Sequence, residues 1–339
     1  MSTMREVAAL AGVSAKTVSR VLRHDRYVSE EVRLRVERAV AELQYVPNVL
    51  ARTFRSGSDN AVGVAVPDVS DPFFAALTHA VETVARARGS AVIVTSLGND
   101  DGDERAGLEA LLGRRLAGLI ATPTSHDQSY LQPWLQRTAV VFVDRRPRGI
   151  KADSVIEDDV GGAREATGHL LGHGHRRVAF IGDTLQIATT ARRLRGYREA
   201  LAEAGVPYEP GLVALEAESG STSGELTVRL LESPAPPTAI FSSNARCSLG
   251  VVPALQSLDR SDVGVISFGD FPLAGSLRPP LTVVDQDPGK LGHVAATRLF
   301  ERLDRPERRL KRQIVLPVTL VLRGSCAAGS HDEADTRPA

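Results

Sequence analysis

The sequence predicts a small all-α helix-turn-helix head joined to a larger α/β body, and three observations carry that reading. Three short amphipathic patterns precede residue 46, with a glycine between the first two. From residue 61 onward, short apolar runs alternate with amphipathic stretches. The charge, balanced over the whole chain, is uneven between these two regions.

At 339 residues the chain exceeds one average domain, so two or three domains are expected. A 42% hydrophobic content with 24% charged residues points to globular protein, neither disordered nor membrane-spanning. Cys247 and Cys326 lie far apart without a CxxC pattern, which argues against a disulfide framework or a zinc site. The N-terminus lacks a basic patch followed by an apolar core, and no apolar run reaches the roughly 18 residues of a spanning helix. A cytoplasmic protein with no membrane partner is therefore expected. The first 57 residues carry ten basic against six acidic side chains, and the remainder 31 against 35. A +4 head on a −4 body suits a phosphate-binding module, although a solvated surface would read the same way.

Thr3 with Glu6 forms a capping-box pair, so a helix starts at Met4. Val7, Leu10 and Ala11 share its inner face, and Gly12 supplies the left-handed residue that ends it. Ser14 caps a second helix with Val18, Val21 and Leu22 inward, leaving Ala15, Lys16, Ser19 and Arg20 on the opposite or flanking face. Two short helices about a glycine turn make a helix-turn-helix. Ser29, Glu30 and Glu31 open a third helix, whose Val32, Val36, Ala39, Val40 and Leu43 cover the first two.

A DNA major groove about 12 Å wide admits one such helix, and Arg20 has the fork to pair with a guanine edge. Lys16 reaches a base or a phosphate, and Ala15 a thymine methyl. Thr3, Ser14, Thr17, Ser19, Tyr27 and Ser29 are short donors suited to fixing register on phosphates. The bland alternative is a three-helix cap with solvated charges.

In the body, the apolar runs 61–66, 91–97, 116–121, 139–143, 178–182, 239–242 and 263–268 read as strands. Amphipathic segments at 73–88, 161–171 and 194–204 separate some of them, which implies parallel sheets buried on both faces. Two half-domains fit the length. Ligands of such sheets settle beyond the carboxyl ends of the strands, where Asp71, Phe73, Asp144, Asn244 and Asp270 fall.

The stretch from Arg5 to Leu22 (REVAALAGVSAKTVSRVL), followed by Tyr45 to Arg52 (YVPNVLAR), resembles the LacI/GalR family of bacterial repressors. Ala61 to Asp68 (AVGVAVPD) and Asp71-Pro-Phe-Phe74 follow at the family's distance, and the resemblance runs from Thr3 to about Arg323. It implies an operator-binding regulator, a homodimer on a pseudo-palindromic double-stranded DNA operator, with a small-molecule effector, a sugar being the expected class. It also implies a periplasmic-binding-protein-like body of two doubly wound halves, joined by three chain crossings expected near Glu157, Ser243 and Gln286. The first half would recover the helix after Pro288. The expected boundaries are 1–46 for the head, 47–58 for a hinge, 59–156 with 286–312 for the first half, 157–285 with 313–324 for the second, and 325–339 for a disordered tail.

By the same resemblance, residues 47–56 form a hinge that becomes helical on the operator and enters the minor groove. About ten residues are too short for a stable isolated helix, so folding would wait for DNA or a partner. Tyr45 belongs to the matched stretch and joins the DNA-facing set, while Asn48, Ala51 and Arg52 match hinge contacts. Phe54 stands where the family usually inserts a leucine between base pairs. Arg193, three residues before Gly196, lies at the family's effector-binding arginine, and Asp144 and Asn244 fall on family contact positions. Carboxylate, amide and guanidinium together bracket vicinal hydroxyls. The chain departs from the family at Ser267-Phe-Gly-Asp270, where many relatives have Gly-Phe-Asp-Asp, and it has Ser219 near the place of a stacking aromatic.

His169, His173 and His175 near Glu157, Asp158 and Asp159 do not force convergence on a metal. Gly220 to Gly224 is not a nucleophile elbow, and no phosphate-loop or zinc-protease motif occurs, so neither an enzyme nor a cofactor is expected. Trp134 reads as a packing residue, and the C-terminus has no leucine heptads for a tetramerising coil. The alternatives left open are a corepressor-dependent repressor with a non-sugar effector, and a solute-binding protein with an incidental helical cap.

Overall fold

Helix α1 (Met4–Ala11) begins where Thr3 accepts the Glu6 amide at 3.3 Å and the Glu6 carboxylate accepts the Thr3 amide at 2.7 Å. The computed structural model describes residues 2–22, 25, 27–45, 61–98, 101–114, 116–217 and 219–326, in two compact units, Met1–Asp59 and Asn60–Ala339. In the first unit, Gly12 ends α1 at φ +63°, a conformation in which glycine avoids the steric penalty of a Cβ. Ser14 then caps α2 (Ala15–Val21), and α3 (Glu30–Glu42) follows Ser29, whose side chain makes no capping bond. The head core is Val7, Ala8, Ala11, Val18, Val21, Val36 and Ala39.

Two expectations fail in the head. Leu10 is 47% exposed while Ala8 is buried. At about 100° per residue, Val7, Ala8 and Ala11 cluster on one stripe that Leu10 misses by roughly a quarter turn. Tyr45, assigned to the DNA-facing set, is only 8% exposed and packs into the head core. An aromatic ring closing a core this small contributes more by burial than a phosphate contact would at the surface.

The second unit holds two six-stranded sheets. The first runs β11-β5-β4-β3-β1-β2, from β1 (Ala61–Val66), β2 (Ala91–Ser96), β3 (Gly118–Ala121), β4 (Ala139–Val143), β5 (Asp153–Glu157) and β11 (Gln313–Leu316), all parallel. The second runs β12-β10-β9-β8-β6-β7, from β6 (Val178–Ile181), β7 (Val213–Ala214), β8 (Ala239–Ser242), β9 (Gly264–Phe268), β10 (Thr282–Asp285) and β12 (Thr319–Val321), with only β12 antiparallel. Helices α4 (Pro72–Ala87), α5 (Asp101–Leu112) and α10 (Pro288–Asp304) pack on the first sheet. Helices α6 (Asp159–Gly172), α7 (Ala188–Glu203), α8 (Gly220–Leu231) and α9 (Ala245–Ser257) pack on the second. The central strands of each sheet are thus buried on both faces, which is why most of them read as unbroken apolar runs, while the edge strands β2, β11 and β12 stay partly exposed.

The chain crosses between sheets after Glu157, at Gln286 and at Pro317–Val318, and the last crossing corrects the expected one near Ser243. Ser243 lies between β8 and α9, both of the second half. Residues 313–316, assigned to the second half, are β11 at the edge of the first sheet, paired with β5 from Gln313 beside Ser154. Proline has no amide proton for a ladder, so Pro317 breaks one apolar run into edge strands of two sheets. Asp153 anchors α10 to the first half, accepting from Arg302 at 2.8 and 3.0 Å.

The expected tail also loses its first two residues. Ser325 donates to the Val265 carbonyl at 2.6 Å and accepts from the Thr282 amide at 2.8 Å, while Cys326 is 5% exposed in the core. Residues 327–339 lie outside the described residues. Among the described residues no helix is long and apolar enough to cross a membrane.

Candidate nucleic-acid interface and ligand cleft

On the head, Lys16 is exposed, and Ser14, which is exposed, bonds the half-buried Thr17 hydroxyl to hydroxyl at 2.9 Å while capping α2. Ala15, Ser19 and Arg20 are half-buried, and Thr3, Tyr27 and Ser29 are exposed. Arg20 donates through Nε to Asp25 at 2.9 Å, and Asp25 also accepts the Tyr27 amide at 3.0 Å. The Arg20 hydrogen bond, with the Tyr27 amide second, holds the Asp25 carboxyl below its ordinary range. Asp25, which sequence reasoning passed over, fixes the root of the guanidinium of Arg20. Asn48, Ala51, Arg52 and Phe54 lie outside the described residues.

In the body, a cleft of about 310 Å³ opens where the carboxyl ends of both sheets face each other. The six residues read from the sequence, Asp71, Phe73, Asp144, Arg193, Asn244 and Asp270, all line it. Asp71 caps α4 by accepting the Phe73 amide at 2.9 Å, and the Phe73 ring meets Phe74 edge to face at 5.0 Å. Burial pushes the Asp71 carboxyl above its ordinary range.

Asp144 follows β4 at φ +66°, a conformation that aspartate tolerates better than most residues, and contacts Arg145 at 3.2 Å. Burial raises its carboxyl, partly offset by Arg145 and Arg193. Arg193 is 5% exposed, donates Nε to Asp159 at 2.8 Å and Nη1 to the Ser243 carbonyl at 2.7 Å, and lies 3.9 Å over the Phe268 ring. The neighbouring Arg192 binds the other Asp159 oxygen at 2.7 Å. One buried carboxylate thus holds two successive guanidiniums, each through charge-assisted bonds.

Asn244 caps α9 with its oxygen, 2.7 Å from the Cys247 amide, and donates its amide to Asp183 at 2.7 Å. Arg246 binds the other Asp183 oxygen at 2.8 Å. Asp183 was missed, although it stands two residues past β6 just as Asn244 stands two past β8, so the same rule would have found it. Asp270 turns to Arg323, which binds it at 3.1 and 2.5 Å. Gly269 stands at φ +96°, and a Cβ there would come within 3.0 Å of the Gln286 side chain. Behind the cleft, Glu157 is 2% exposed and accepts from Gln286 at 3.4 Å. Burial first, then Asp144 and Asp159, push its carboxyl well above the usual range. Among the described residues no three histidine, cysteine or acidic side chains are grouped to hold a metal.

The model for bacterial regulatory proteins of the lacI family matches residues 3–48, and that for a periplasmic binding protein-like domain matches residues 167–326. The ribose operon repressor of Escherichia coli (strain K12) is 31% identical over 330 residues, covering 96% of this chain and 100% of that protein. The HTH-type transcriptional repressor PurR of Aliivibrio salmonicida (strain LFI1238) is 29% identical over 311 residues, covering 89% of this chain and 92% of that one. Among solved structures, the lac repressor dimer bound to operator and the anti-inducer ONPF is similar at a TM-score of 0.86 and 27% identity, over 96% of this chain and 99% of that one.

Proposed function

The chain belongs to the lacI family of bacterial regulatory proteins, and from that membership we propose that it is a transcriptional repressor whose DNA binding is released by a small, sugar-like effector. It is a regulator, not an enzyme. Like the lac repressor dimer on its operator, it works as a homodimer in the cytoplasm, setting two copies of α2 in successive major grooves of a pseudo-palindrome. Arg20 reads a base edge, Lys16 a base or phosphate, and Ala15 a thymine methyl. Thr3, Ser14, Thr17, Ser19, Tyr27 and Ser29 fix the register on phosphates. Asn48, Ala51 and Arg52 serve as hinge contacts, and Phe54 as the minor-groove wedge.

The observation that carries the effector reading is Arg193. Its guanidinium is fixed by Asp159 and Phe268 at the wall of the cleft, with Asp144 and Asn244 on the same cavity. Such a set supplies donors and acceptors already oriented for hydroxyl groups. Effector and DNA change each other's affinity by one factor, because their two bindings close a single thermodynamic cycle.

The test is binding of the full chain to DNA from its own upstream region, with and without a panel of sugars and sugar phosphates. Release by one compound, lost in Arg193→Ala, is the expected result. DNA binding strengthened by a compound would turn the sign to corepression, and no response to any compound would remove the sugar-like effector.

A further inference from the structure

The walls of the cleft are not charge-balanced. Each of its lining arginines already has a carboxylate: Arg145 has Asp144, Arg193 has Asp159 and Arg246 has Asp183. These carboxylates offset most of the positive charge that an anionic ligand would seek, although Arg193 shares Asp159 with Arg192.

The reverse holds for the acids. Asp68, Asp71 and Asp285 line the same cavity, and none of them forms an ion pair with a cation among the described residues. Asp68 accepts from Ser70, Asp71 from the Phe73 amide and Asp285 from the Asp287 amide. These bonds satisfy oxygens without neutralising charge. Asp71 also faces Asp68 and Asp183, with Arg246 as the shared cation, and Arg246 is committed to Asp183. Arg246 also faces Asp68 and Arg323 faces Asp285, each already paired with another carboxylate, so the surplus negative charge sits on the first-half wall, at the exposed Asp68 and the half-buried Asp71, and at the half-buried Asp285 before the crossing into α10.

We propose that the cleft takes a polyhydroxylated amine, a small sugar-like molecule bearing an ammonium group, in preference to its neutral or phosphorylated counterpart. This rests on the effector reading above and narrows its chemical class. Hydroxyl groups are met by Asn244, Arg193 and Asp144, and the ammonium by Asp71 with Asp68 or Asp285. The cavity makes the site, and its unpaired carboxylates choose the occupant. Burial is what raises the Asp71 carboxyl, with the Phe73 amide and Arg246 opposing it and Asp68 and Asp183 adding smaller contributions, and a bound ammonium would supply counter-charge at that partly desolvated carboxylate.

The experiment is calorimetric titration of the full chain at pH 6.5 with D-ribose, D-glucose, their phosphate esters, and D-glucosamine, D-galactosamine and D-mannosamine, paired with release of bound upstream DNA. At least one amino sugar should bind about tenfold or more tighter than the neutral sugars. In Asp71→Asn and Asp285→Asn, each of which keeps the side-chain shape, the amine-to-neutral affinity ratio should fall toward one. The ratio is its own control, because a variant that merely disturbs the fold weakens both ligands together. A neutral sugar or a phosphate ester that binds tighter than every amine overturns the inference while leaving the repressor reading intact. No binding by any amine at about 10 mM overturns it too, and if no compound binds or releases DNA the sugar-like effector falls with it.

Discussion

Asp159 and Arg193 form an ion pair of 2.8 Å in which both side chains are almost wholly withdrawn from solvent. Asp159 stands in the first turn of α6, immediately after the chain first crosses between sheets, and Arg193 projects from α7. The pair therefore couples the crossing to the wall of the cleft. Removing one partner leaves an uncompensated buried charge, so Asp159→Ala should destabilise the body by about 3–5 kcal/mol. Arg192 would lose its anchor in the same variant. Urea denaturation of the full chain, followed on the body's transition, measures the loss, and a change under about 1 kcal/mol would show that water screens the pair.

Arg20→Ala should weaken specific DNA binding by about 1–3 kcal/mol and relax the preference at one base pair. Asp25→Ala should weaken the same base preference by less, because it frees the guanidinium without deleting it. Lys16→Gln should lower the salt slope of binding by about one if Lys16 lies on a phosphate. Titrations against operator variants at several salt concentrations check all three. An equal loss for Arg20→Ala on every DNA sequence would sink its base-reading role.

Glu157 links pH to stability through burial first and then through Asp144 and Asp159. Because its carboxyl is raised in the folded chain, the unfolded chain ionises first, above about pH 4.3. The stability associated with the proton is complete below that pH and declines as pH rises, until the folded carboxyl ionises as well. Glu157→Gln keeps an acceptor for Gln286 and abolishes the titration. Its thermal midpoint should lie near that of the wild type at about pH 4 and above it at about pH 7. A difference that stays constant with pH would assign Glu157 no titrating role in this range.

Gly269→Asp supplies the acid that the family resemblance leads one to expect there, yet it should destabilise this chain by about 1–3 kcal/mol. The backbone there sits at φ +96° and the added Cβ presses on Gln286 at 3.0 Å. Differential scanning calorimetry of the variant gives the answer, and an unchanged midpoint would mean that the turn re-forms around the side chain.

Much of this was legible in the residues. Thr3 with Glu6, Gly12 and Ser14 announced two helices and their turn because capping is a local interaction with a fixed spacing. The body's central strands were readable because both faces are buried. Strand β5 was not, although every residue in it is buried, because Asp153, Ser154 and Glu157 interrupt its apolar run. Their burial is tolerable only with Arg302, Arg298 and Gln286, which arrive from about 130 or more residues away.

The sequence by itself determined the helix-turn-helix, the alternating α/β body and five of the residues that meet at its cleft, since periodicity, caps and strand ends are properties of near neighbours in the chain, while Arg193 came from the family resemblance. Tertiary structure decided the rest. It moved β11 into the first sheet, buried Tyr45 and Cys326, and gave Arg193 to Asp159 and Arg246 to Asp183. Which carboxylate neutralises which guanidinium depends on groups distant in sequence being brought within about 3 Å, where desolvation makes pairing strongly favourable and leaves the remaining acids to shape the cleft.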